Sequence, residues 1–385
     1  MNVIRNATRT LAAFAVLLLI PAAAPRAYAQ GGMLVSWGYD LHGRVSGTPA
    51  GIFSSVAAGE NHAVAIRTDG TLVSWGDDSS GQVSGTPTGT FSSVAAGAFH
   101  SVAIRSNGTL VSWGDNSHGQ VSGTPTGTFS SVAANGFHGQ AIRTDGILVS
   151  WGHDGVGQVS GTPAGTFSSV AAGGAHAVAI RTDGTLVSWG WDIRGQVSGT
   201  PTGTFSFVSA GSLYSVAIRA DGTLVVWGEN VWGQVSGRPT GTFSSVASGR
   251  GHSVAIRTDG SLVSWGLNNE GQVSGTPAGK FLSVAAGYHY SVAIVPTTQR
   301  IQALKSAVQA LVGAGVSLPA NGQSLQAKLN AALAALALGD TQGAIGSLGA
   351  FINQVNAFVR TGRLTPAQGQ ALINAAQAVI DALTA

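Results

Sequence analysis

The chain of 385 residues has no cysteine, only two methionines, and charged side chains at just 9% of its positions. Without cysteine, neither disulfides nor thiolate metal sites can contribute. Beyond the first thirty residues no apolar run is long enough to cross a bilayer, which argues against membrane insertion. Net charge is lacking as well. Three of the 19 basic residues (Arg5, Arg9 and Arg26) lie in the first 29, where there is no acid, so the rest carries 16 of each sign. No basic face for nucleic acid or anionic membrane is implied. The first 29 residues read as an export signal: Arg5 and Arg9, an apolar run from Leu11 to Ile20, then Ala27-Tyr28-Ala29. That pattern predicts cleavage before Gln30 and a secreted protein, extracellular or periplasmic.

Glycine, by contrast, is abundant at 56 residues, and tryptophan is regularly spaced. Trp37, Trp75, Trp113, Trp151, Trp189, Trp227 and Trp265 recur every 38 residues, each in a version of L-V-S-W-G. A second phrase, V-A-A-G-x-x-H-S-V-A-I-R, begins at Val56, Val94, Val132, Val170, Val208, Val246 and Val284. One supersecondary unit has therefore been copied seven times. In the unit from Phe91, Ser93–Ala95, His100–Ile104 and Leu110–Trp113 read as short strands, with Gln120-Val121-Ser122 a short fourth. Asn107-Gly108, or Asp-Gly as at Asp69-Gly70, reads as a tight hairpin turn in which both residues tolerate positive φ. Thr124-Pro125 ends the unit, because proline cannot donate to a central ladder. Four antiparallel strands in this length suit a propeller blade. The array enters at Met33–Trp37 and leaves at Ser291–Val295, two half-units that sum to one blade. The expected fold is an all-β seven-bladed propeller over residues 30–296, closed by its terminal strands, which removes open sheet edges.

Two phrases carry a family resemblance: Trp113-Gly114-Asp115-Asn116-Ser117-His118-Gly119-Gln120, and Ala96 to Ser101. They resemble the regulator of chromosome condensation repeat throughout residues 33–295, and the resemblance implies a seven-bladed propeller. The short period is more similar to secreted bacterial members, among them a propeller-type β-lactamase inhibitory protein.

From Thr297 the apolar spacing becomes helical. Ile301, Leu304, Val308 and Leu311 form one stripe; Leu325, Leu329, Leu333 and Leu336 a second. Ile345, Leu348, Ile352, Val355 and Phe358 form a third, and Leu372, Ile373, Ala376 and Ile380 a fourth. Asp340 and Thr365-Pro366 read as N-terminal caps, Gly339 and Gly362 as helix ends. Residues 297–385 should form a module of three or four helices, joined through Val295–Thr298. Phe351–Val355 and Gly362–Gly369 resemble a FIMAH-type module of secreted bacterial proteins, which implies an accessory or spacer role.

Repeated chemistry invites structural readings. His62, His100, His138, His176 and His252 share one position, filled by Tyr214 and Tyr290 in the other copies. Seven-fold spacing sets them too far apart for one metal ion, so each should make a hydrogen bond within its own blade. Asp69, Asp145, Asp183, Asp221 and Asp259 are turn residues, and the repeated tryptophans should pack blade against blade. Arg67, Arg105, Arg143, Arg181, Arg219 and Arg257 should flank solvated strand ends. No nucleophile elbow, phosphate loop or zinc signature is present, so neither an enzyme nor a cofactor is implied.

Function is sought where the copies disagree. One variable segment lies between W-G and G-Q, the other is the pair before His or Tyr, and both should emerge on one face. Tyr39, Leu41, His42, Phe99, Phe137, Trp191, Ile193, Arg194, Leu213, Val231, Trp232 and Tyr288 are the candidate partner-binding residues there. Large apolar and arginine side chains in loops mark interaction surfaces. In the similar inhibitory propeller, aromatics of these segments contact the enzyme, so the resemblance implies the same role here. The expectation is a monomeric, non-enzymatic binding protein for an extracellular protein, such as an enzyme to be inhibited. The alternative partner is a surface polysaccharide, as for an adhesin. Hydrolysis and guanine-nucleotide exchange rank below both.

Overall fold

A computed structural model describes residues 31–385 except Ser317 and the side chains of residues 319–321. The expected export signal and its cleavage site lie outside the described residues.

In the unit from Phe91, strands Phe91–Ala96, His100–Arg105 and Leu110–Gly114 pair antiparallel in chain order. The first strand carries a bulge at Ser92, since Phe91 pairs with Arg105 but Ser93 with Ile104. This turns the Phe91 ring inward beneath Arg105, whose guanidinium lies 5.2 Å from the ring centre. The same arginine–phenylalanine pair recurs in five further units, so the strand-end arginines cap core rings as well as meeting solvent. The hairpin differs from expectation. Gly108 has φ 87°, but Asn107 is not in the left-handed region. Gly108 N–H donates to Arg105 O and Arg105 N–H to Thr109 O, each at 2.8 Å. This is a three-residue loop ending in a left-handed glycine, with Asn107 Oδ1 accepting from Thr109 N–H.

The expected fourth strand is corrected. Gln120-Val121-Ser122 forms turns, because Asn116 Oδ1 accepts from both Val121 N–H (3.0 Å) and Ser122 N–H (2.8 Å). A side chain has taken the donors that a strand would offer a neighbour. The blade-like unit has three strands.

Five sheets are such triplets, and a sixth has six strands. In the sixth, Ser283–Ala286, Tyr290–Pro296 and Gly32–Gly38 form one triplet and the strands of residues 53–76 another; the pair Gly32 and Phe53 joins them. The segment Gly32–Gly38 pairs with Tyr290–Pro296 at every position. Hydrophobic clusters sit between triplets, not within them. Val64 and Ile66, for example, pack against Phe91, Val94 and Trp113 of the next copy, and Phe53 and Trp75 against Tyr290 and Ile294. Middle strands such as His100–Ile104 are therefore buried on both faces. Each repeated tryptophan also donates its indole N–H to a carbonyl of the preceding unit, as Trp113 Nε1 does to Gln82 O at 3.0 Å. The bond recurs in every copy, including Trp37 to Gln272 O and Trp75 to Arg44 O.

Four helices follow: α1 (Thr297–Gly313), α2 (Pro319–Ala337), α3 (Thr341–Arg360) and α4 (Pro366–Thr384). Asp340 caps α3 and Thr365 forms a capping box with Gln368, as their positions predict. The core runs through Ile301, Leu304, Leu325, Leu329, Leu348, Val355 and Leu372. On α3 and α4 the buried face is rotated slightly from the predicted stripes. Phe351 and Val379 are central, while Ile352, Ile373 and Ile380 pack at the margin. No linker separates the two parts: the last strand runs to Pro296 and α1 starts at Thr297. Met33 packs on the helical core and Gln299 accepts from Lys280 N–H. No described helix is long and apolar enough to cross a membrane.

Candidate functional site

The two variable segments meet in every unit. The residue after W-G donates its N–H to the residue before His or Tyr: Asp115 to Phe99 O, His153 to Phe137 O, Trp191 to Ala175 O, Glu229 to Leu213 O. Asp77 bonds Asn61, Leu267 bonds Gly251 and Tyr39 bonds His289 in the same way. Antiparallel register requires this, since His100 faces Gly114 and the chain leaves both strands at the same end. One part of the first segment is not free to vary. Its second residue is always Asp or Asn (Asp40, Asp78, Asn116, Asp154, Asp192, Asn230, Asn268), and its Oδ1 holds two backbone N–H groups further on. Those donors hold the carboxyls of Asp40, Asp78, Asp154 and Asp192 below the usual range.

Exposure peaks at the third residue. Val231 is 67% exposed, Ile193 61% and Leu41 47%, with Trp191 at 37% and Tyr39 at 36%. His42 and Arg194 are also exposed, whereas Phe99, Phe137, Leu213, Trp232 and Tyr288 are half-buried. The half-buried aromatics have company. Phe99 stacks on Phe137, and His118 meets both Phe137 and His153 edge-on. Trp232 rests on Gly251, where an added Cβ would lie 2.5 Å from the indole, and Arg250 lies over both Trp232 and Tyr288. Arg194 pairs with the buried Glu229 at 3.6 Å. Sequence reading missed Arg44, Arg250, His289, His118 and His153. The signal for Arg44 was its place in Gly43-Arg44, where the other copies have Gly-Gln.

The histidine position requires a correction. Each bond reaches the next unit, not its own blade: His62 to Ser101 Oγ (2.7 Å), His176 to Ser215 and His252 to Ser291 (both 2.9 Å). Tyr214 and Tyr290 donate across the same gap to the carbonyls of His252 and His62. Where the serine is replaced by Gly139 or Ala177, the rings of His100 and His138 have no partner among the described residues. Burial lowers His62 and His100 to about 4, and His138, His176 and His252 to about 3. The rings are neutral, and those of His62, His176 and His252 tie neighbouring sheets. Among the described residues no three His, Asp or Glu side chains converge to hold a metal ion.

Antiparallel triplets packed face to face, with their sequence variation gathered on one loop face, make this a repeat-built β-propeller with a helical domain appended. The regulator of chromosome condensation (RCC1) repeat matches residues 53–82, 91–120, 167–196 and 243–272, each from the core phenylalanine to the glutamine of G-Q. The FIMAH domain matches residues 301–381. The chain thus contains regulator of chromosome condensation repeats and carries a C-terminal FIMAH domain. Unmatched copies are those that depart most, such as the one with Gly139-Gln140, and the one divided between the two ends of the array. No curated protein sequence matches the chain. Among solved structures, Prp20p from Saccharomyces cerevisiae is 18% identical, covering 69% of this chain and 93% of its own, with a TM-score of 0.57. Human WBSCR16 is 17% identical over 69% of this chain and 98% of its own, at 0.57. The ectodomain of the Physcomitrella patens receptor kinase CR4 is 20% identical over 60% and 67%, at 0.54. At these identities the likeness establishes the fold.

Proposed function

We propose that this chain is a secreted, monomeric, non-enzymatic binding protein. In this reading its seven triplets form a closed seven-bladed ring whose variable loop face grips an extracellular protein, with enzyme inhibition as one use. The observation that carries it is the hydrogen-bonded pairing of both variable segments in every unit, with Trp191, Ile193 and Val231 held out to solvent. Apolar side chains on rigid loops lose little entropy on binding. Ring closure is supported by the tryptophan bonds, which pass from unit to unit and return from Trp75 to Arg44 in the split copy. Tyr290 donating to His62 O supports it at the same junction. Propellers of this fold do hold proteins: Prp20p is described with its binding to Gsp1p and histones, and yeast RCC1 (Prp20) bound to Kap60. Export in the present reading separates this chain from nuclear partners of that kind.

Capture from culture fluid and cell envelopes tests the reading, with the natural chain beside Trp191→Ala/Trp232→Ala. A protein retained by the natural chain and lost by the variant is the expected result. Identical captures reject the face, and retention of polysaccharide alone favours an adhesin.

A further inference from the structure

The loop face is not electrostatically uniform. Arg44 occupies the place where the other copies put a buried glutamine, and it is itself only 1% exposed. Its guanidinium donates to Leu41 O, Glu60 O and Asn61 Oδ1, each at 2.9 Å, and stacks on Tyr39 at 5.0 Å. The exchange reshapes its loop. Elsewhere the glutamine Oε1 accepts from the N–H two residues earlier, as Gln82 does from Ser80. Arg44 cannot accept, and His42 at that place adopts φ 60°, the left-handed region that disfavours a side chain. Arg250 is the second cation. It lies 4.4 Å from the Tyr288 ring centre and 5.7 Å from that of Trp232, and its Nη1 is 3.4 Å from His289 Nε2. Burial, with Arg250 and Arg44 alongside, lowers His289 to about 4, so the ring is a neutral neighbour that aims Arg250.

Among the described residues no carboxylate forms an ion pair with Arg44 or Arg250. Asp40 and Asp77 act on Arg44 from a distance, and Glu60 is the acid that feels Arg250. Burial raises its carboxyl, and Arg250 pulls the other way. A cation buried without a carboxylate is costly, and its field is poorly screened at the surface above it.

We infer that Arg250, with the buried Arg44 on the same loop face, forms a carboxylate-recognition site that takes an acidic side chain of the protein partner. The inference rests on the loop-face reading and specifies the chemistry of what docks there. Arg250 makes the contact, and Arg44 adds a second positive charge to the same loop face. A protein carboxylate fits better than a sugar, because the rings of Tyr39, Tyr288 and Trp232 each already have a guanidinium over one face.

The test titrates the full chain with a hexaglutamate peptide, a hexaglutamine peptide and a hexagalacturonate oligosaccharide at low salt. Arg44→Gln and Arg250→Ser are natural choices, since other copies carry Gln82 and Ser212 at those places, and thermal melting checks that they fold. Hexaglutamate should bind the natural chain and weaken by about tenfold in each variant, as loss of a charge-assisted contact does. Glu60→Gln should tighten it, an opposite sign that mere loop damage would not produce. Equal affinity in the arginine variants, binding of galacturonate alone, or no binding overturns the site. Loss of capture in Trp191→Ala/Trp232→Ala with unchanged capture in Arg44→Gln/Arg250→Ser rejects this inference and leaves the loop face standing.

Discussion

Acid should unfold this protein through its buried histidines, well before its carboxylates titrate. His62, His100, His138, His176 and His252 are fully buried, and burial holds them at about 3 to about 4 against an ordinary value of 6.5. Above pH 6.5 the rings are neutral in both states and the stability is complete. Below it the unfolded chain takes up protons that the folded chain refuses, so stability falls until the folded values are reached. Moving from about pH 7.5 to about pH 5.5 should cost about 1.4 kcal/mol per ring, or about 7 kcal/mol for the five. With ordinary unfolding entropies that is a drop of about 10 °C in the melting temperature. Glu60 acts in the opposite direction, because its raised carboxyl gains protons on folding, while the half-buried His289, also at about 4, adds to the effect of the five. Calorimetry across this range checks the figure, with His138→Tyr as an internal control. That variant copies Tyr214, whose hydroxyl reaches a neighbouring carbonyl, and should remove about a fifth of the acid sensitivity. A melting temperature that is flat from pH 7.5 to 5.5 would falsify the neutral-ring account.

The same position yields a stabilising change. Ala177→Ser should give His138 the hydroxyl that Ser101 gives His62, raising stability by about 1 kcal/mol in chemical denaturation. Gly139→Ser should not do the same for His100, because an added Cβ there lies 2.5 Å from Trp151; a gain from that variant would contradict the packing. On the loop face, Gly251→Ala should push Trp232 off its seat and change its fluorescence while the melt moves by less than about 1 kcal/mol. An unchanged emission spectrum would mean the ring is not held there.

The unit and its boundaries were legible because a short strand carries its whole signal locally. Phe91 to Gly114 shows alternation, a glycine at the turn and a proline beyond, each acting within a few residues. The four helices were legible for the same reason, through caps such as Asp340 and Thr365 that bond three residues away. The candidate loops were legible as departures from repetition, and the register of paired strands then places both at one end. Other features were not. The missing fourth strand depended on which acceptor Val121 and Ser122 would find, and Asn116 is nearer than any neighbouring strand.

By itself, the sequence determined the repeat, its strands, the helical domain and the positions where the copies differ, since all of these follow from local preference and period. Tertiary structure alone decided who bonds to whom between copies. His62 reaches Ser101 and not its own blade, His138 is left without a partner by Ala177, and Arg44 stands in a glutamine's place beside Glu60 and Asn61. Contacts between residues far apart in the chain follow from how sheets stack, and no single unit contains that information.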